Sequence, residues 1–105
     1  MIIGTTSGME QVAIPSGVEL DQNFPNPVGN KTPFTTIAFE TATTGYATLQ
    51  VFDALGRTIA TLHDGMLSAG KHSKVLITSS LAPGMYNYRL TIDGRQAMRR
   101  MIVVK

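Results

Sequence analysis

Two stretches near the middle of the chain alternate with period two, and no other feature constrains the fold as tightly. In FTTIAFET, Ile37 and Phe39 fall on one side while Thr36, Ala38 and Glu40 fall on the other. In YATLQVFD, Ala47, Leu49 and Val51 oppose Thr48, Gln50 and Phe52. Successive side chains switch faces in this way along a β-strand, so each stretch reads as a half-buried strand of an antiparallel sheet. No long window carries the i, i+3, i+4 apolar stripe of an amphipathic helix.

The punctuation between apolar runs agrees. TTG (residues 43–45), ALGR (54–57), AGK (69–71) and APG (82–84) separate successive strands. IDGR (92–95) is the sharpest signal, because Asp-Gly suits a two-residue hairpin whose central residues both need positive φ. The last hairpin then pairs MYNYRLTI, with Tyr86, Tyr88, Leu90 and Ile92 on one face, with RQAMRRMIVVK. In that second arm Met98, Ile102 and Val104 alternate with Arg99, Met101 and Val103, so both faces are partly apolar. About seven short strands, with turns every eight to twelve residues or so, predict an all-β protein: an immunoglobulin-like antiparallel β-sandwich.

At 105 residues the chain is the size of one domain. Residues 1–18 are small and polar, reading as a linker with room for a short strand at Gln11–Ile14, and residues 19–105 form the sandwich. Nine Lys+Arg against seven Asp+Glu leave a net charge of +2, too weak for the dense basic footprint of a nucleic-acid binder. The absence of cysteine excludes disulfides and thiolate metal sites. MIIGTTSG lacks a signal peptide's charged opening, and no stretch approaches the roughly 20 apolar residues of a membrane-spanning helix, so no direct membrane insertion is expected. Such an opening suits a domain excised from a longer protein.

Six pieces then stand in a recognisable order: LDQNFPNP, TTIAFE, LQVFDALGR, TLHDGMLSAGKH, LAPGMYNYRLTIDG and a closing MIVVK. Together, over roughly residues 19–105, they resemble the C-terminal sorting domain of type IX secretion cargo from Bacteroidetes-type bacteria. The resemblance implies a non-catalytic export signal, behind an N-terminal cargo domain that carries its own signal peptide. Its implied partners are the outer-membrane type IX translocon, its shuttle protein and a surface sortase that removes the domain. The implied route runs through the periplasm to the cell surface or beyond, and no cofactor is implied. Residue by residue, the match points to translocon recognition by Gly56 and Arg57 of the DALGR turn, Pro83, Gly84 and Tyr86 of LAPGMY, and Arg100 and Lys105 of the closing strand. Two positions depart from the family: Pro27-Val28-Gly29-Asn30 stands where Pro-Phe-Asn-Pro is common, and Arg100 where lysine is frequent.

Catalytic and ligand readings are thinner. His63 and Asp64 are adjacent, so in a strand they face opposite ways and form no dyad. His63 and His72 could meet across a hairpin, but two histidines without a third ligand make a weak zinc site. Asp21, Asn23 and Asn26 lack the carboxylate density of a calcium site. No serine sits in a nucleophile-elbow context. A carbohydrate-binding module would need coplanar exposed aromatics; there is no tryptophan, and Tyr46 and Phe52 share one face. A purely structural sandwich is the remaining alternative. Within LDQNFPNP each proline fixes φ and removes an N–H, giving a stiff lead-in. That segment reads either as a rigid spacer between cargo and label or as a first strand entering past a bend. The closing strand reads as a sheet edge, which Arg and Lys would keep from self-pairing and a partner could extend by strand addition.

Overall fold

The computed structural model describes residues 17–105. The expected strand at Gln11–Ile14 and most of the expected linker lie outside the described residues. Seven strands follow in order: β1 (Val18–Leu20), β2 (Phe34–Thr41), β3 (Gly45–Phe52), β4 (Thr58–Leu67), β5 (Gly70–Ile77), β6 (Gly84–Ile92) and β7 (Arg95–Val103). All strand pairings are antiparallel, in a three-stranded sheet ordered β1-β2-β5 and a four-stranded sheet ordered β4-β3-β6-β7. The expected all-β sandwich is what the chain forms. An immunoglobulin constant domain places its fourth strand beside the first sheet; here β4 pairs with β3 instead, giving three strands against four.

The alternating residues supply the core. Ile37 and Phe39 of β2 point inward, facing Ala47, Leu49 and Val51 of β3 and Tyr86, Tyr88, Leu90 and Ile92 of β6. Burying each large aliphatic side chain stabilises the fold by about 1.5–3 kcal/mol. In β7, Met101 and Val103 turn inward while Met98 and Ile102, with Val104 just beyond the strand, stay exposed. β4 alternates least: it is an edge strand, and its register against β3 shifts at Leu49/Gln50 and at Val51/Phe52.

Only two of the five expected turns close hairpins within a sheet. DALGR joins β3 to β4, and Asp93-Gly94 joins β6 to β7 with φ of +50° and +76°, as the Asp-Gly signal requires. The other three carry the chain between sheets. At one end, the β2–β3 and β4–β5 crossovers are tied together, Thr44 Oγ1 accepting from the Ala69 amide at 3.0 Å.

The registers fix what lies at each end. Gly17, residues 42–44, 68–69 and 93–94 share the end where the described chain begins. Residues 53–57, the 78–83 loop, Gly29–Pro33 and Lys105 share the opposite end.

Candidate recognition surface

The DALGR turn is built around Asp53. Its amide donates to the Arg57 carbonyl at 3.0 Å, and its carbonyl accepts from Gly56 N at 3.0 Å. Its carboxylate accepts from the amides of Leu55 and Arg57 and from Arg57 Nε at 3.0, 2.9 and 2.8 Å. Asp53 and Arg57 thus form an ion pair as well as a turn. These bonds, the Arg57 amide first, hold the Asp53 carboxyl below the usual carboxylate range. Gly56 supplies the positive φ of +86°. The turn is rigid and exposed, presenting the Arg57 guanidinium to solvent.

LAPGMY forms the second piece. Tyr86 buries its ring, and its hydroxyl donates to the Ala82 carbonyl at 2.6 Å. This fastens the Pro83-Gly84 corner to the strand that follows, as a tyrosine corner does in immunoglobulin-like domains. Lys105 belongs to the same end: its ammonium donates to the carbonyls of Thr78 and Ser79 at 3.3 and 3.1 Å. It lines an open cleft of about 180 Å³ with Gly29, Asn30, Pro33, Thr78 and Ser79. Gly56, Arg57, Pro83, Gly84, Tyr86 and Lys105 thus gather at or near one end of the sandwich. Arg100 lies one register step further in than Tyr86, opposite Asn87, which in turn faces Phe52 at the end of β3.

LDQNFPNP is part of the sandwich, not a spacer beyond it. Asp21 and Phe24 bond along β2, to Ala38 and Thr36. The segment then crosses to the exposed side of β7, where Val28 N donates to Ile102 O and Val104 N donates to Val28 O, both at 2.8 Å. Side chains complete the strap: Gln22 Nε2 donates to Arg100 O at 2.6 Å, and Asn26 Oδ1 accepts from Ile102 N at 3.0 Å. Arg99 Nε donates to Leu20 O at 2.8 Å. The edge of β7 from Arg100 to Val104 is therefore already occupied by the chain's own residues, a protection that the basic side chains alone were expected to give.

Beneath the strap, Tyr88 is fully buried. Its hydroxyl donates to Asp21 O and accepts from Asn23 N, each at 2.7 Å. Burial pushes its phenol up to about 12. The Asn23 side chain, also buried, donates to Pro25 O at 3.1 Å and Thr35 Oγ1 at 3.0 Å. Sequence reasoning set Tyr88 on one face with Tyr86, Leu90 and Ile92 but not at this junction, since its partners lie more than sixty residues earlier.

The ligand readings meet specific obstacles. β4 and β5 belong to different sheets, so His63 and His72 do not face each other across a hairpin. His63 contacts Gly65 O, and His72 stacks on Phe39 and contacts Ser68 O. Asn23 and Asn26 spend their side chains inside the strap. Among the described residues no three His, Cys, Asp or Glu side chains group as a metal site. Tyr46 and Phe52 do share the outer face of β3, but they stand six positions apart along the strand, about 20 Å. The Tyr46 hydroxyl is bonded to Asp64, and Tyr86 and Tyr88 point inward.

A family model described as the secretion system C-terminal sorting domain matches residues 22–105. No curated protein matches the chain.

Proposed function

We propose a specific role for this chain, which belongs to the family of secretion system C-terminal sorting domains. The family makes it a C-terminal sorting signal for type IX secretion, dealing with that machinery and directing export to the cell surface or beyond. The finer reading is a non-catalytic folded label. It crosses the periplasm behind its cargo and is bound by the outer-membrane translocon and its shuttle protein. A surface sortase then cuts in or before residues 1–19.

One observation carries this reading. The matched residues of the two turns and Lys105 collect at the end of the sandwich farthest from Gly17, through which any preceding cargo is attached. Attachment and recognition then use opposite ends, so a bulky cargo does not cover the surface that is read. The Arg57 guanidinium, the Pro83-Gly84 corner and the Lys105 cleft are held by hydrogen bonds made within the domain, which gives a partner a fixed shape to dock on.

The full 105-residue chain fused behind a reporter with its own signal peptide should reach the surface of a type IX-competent bacterium and stay periplasmic in a translocon-deficient strain. Arg57→Ala should lower delivery while leaving the urea midpoint of the domain unchanged. Periplasmic retention in both strains overturns the label. Full delivery of the Arg57 variant overturns the part given to the turn.

A further inference from the structure

Arg89 is the one charged side chain with a buried, unpartnered donor among the described residues. It points outward from β6, between Gln50 of β3 and Met98 of β7. Its guanidinium carbon lies 4.7 Å from the centre of the Phe52 ring. Its Nε is buried and makes no hydrogen bond. A guanidinium carries five N–H donors in a planar fork, and a buried donor left unpaired is costly.

Arg89 lines a cleft of about 190 Å³ together with Phe52, Gly56, Asn87 and Met98. Gly56 leaves the mouth clear, as nothing lies within 4 Å of where a Cβ would stand. The outward positions of β3, β6 and β7 hold two arginines, Arg89 and Arg100, and no carboxylate. Asp53, the acid beside Phe52, is committed to Arg57 and to the amides of its own turn, and Asp64 on the adjoining β4 is bonded to the Tyr46 hydroxyl. Met85 and Met98 are about half exposed, at 47% and 55%, and give this side of the face an adaptable apolar rim.

We propose that this cleft is a docking site for an aspartate or glutamate side chain of a protein partner, flanked in that partner by an apolar residue. The planar fork matches a carboxylate in bidentate geometry, Asn87 offers an amide donor beside it, and Phe52 and Met98 take the apolar neighbour. Two arginines without a lysine cluster favour a single acidic side chain over a phosphate-rich membrane surface, which draws on many basic groups. The proposal goes beyond the end-of-sandwich reading and does not depend on it.

The test uses the full 105-residue chain labelled for NMR and a blocked peptide, acetyl-Leu-Glu-Leu-amide. The expected result is saturable shifts at Phe52, Asn87, Arg89 and Met98, weakened about tenfold or more by Arg89→Gln and by replacing the peptide's Glu with Gln. Arg89→Lys, which keeps the charge and loses the fork, should fall between. The amide spectrum of free Arg89→Gln should match the parent outside the cleft, which guards against a folding artefact. Equal shifts with the Gln peptide, shifts elsewhere on the domain, or none at all overturn the proposal. So does tighter binding to phosphatidylglycerol vesicles or inorganic phosphate than to the peptide, which would make the cleft an anion or membrane site.

Discussion

Tyr86 and Tyr88 stand two residues apart on the same inward face of β6, yet they fasten different kinds of structure. Tyr86 reaches four residues back to Ala82 and secures the corner that begins its own strand. Tyr88 reaches Asp21 and Asn23 and secures a segment that crosses from the three-stranded sheet to the edge of the four-stranded one. The first bond closes a small loop whose residues 82–84 are exposed. The second satisfies an amide of Asn23, which is buried and has little access to water. Equal chemistry therefore carries unequal weight, set by what each hydroxyl leaves behind when it is lost.

Alkaline titration should separate the two most sharply. Burial holds the Tyr88 phenol neutral up to about 12, against an ordinary value of 10.0. Folding then favours the protonated form, so its contribution is complete below pH 10 and is lost as the pH rises toward 12. The loss should reach about 2–3 kcal/mol, read as a falling urea midpoint across that window that is absent in Tyr88→Phe. A smaller effect is expected at neutral pH, where Tyr88→Phe should cost about 1–3 kcal/mol by stranding the Asn23 amide. Faster amide exchange at Val28 and Val104 should accompany it as the strap loosens. Tyr86→Phe should cost the least, about 0.5–1.5 kcal/mol, with exchange changes confined to the 78–84 loop. Equal losses from the two substitutions would break the comparison.

The same contrast explains what was legible in the sequence. Asp93-Gly94, DALGR and LAPGMY are local: every group that shapes them lies within about five residues, so turn chemistry suffices. The inward faces of β2, β3 and β6 were legible because period two reports burial directly. Alternation is silent about neighbours, and so it could not show that β4 sits beside β3 or that the β4–β5 link changes sheets. The His63–His72 pairing failed for that reason. The strap was illegible because Gln22, Asn23, Asn26 and Val28 bond to residues from 65 to 78 positions later or to an adjacent sheet. The prolines announced a stiff path without saying where it led. Arg89 left no sequence signal, since only the register sets its guanidinium over Phe52 and against no acid.

The short parallel contact between Val28 and Val103 has a mechanical meaning. Gly17 and Lys105 leave the sandwich from opposite ends, so a tug on the cargo side against a hold on the far side runs along that contact. The two stretches are then asked to slide past one another, and the Val28 bonds to Ile102 and Val104 share the strain simultaneously instead of parting in sequence. A passenger towing this domain, or towed by it, pulls against its stiffer direction.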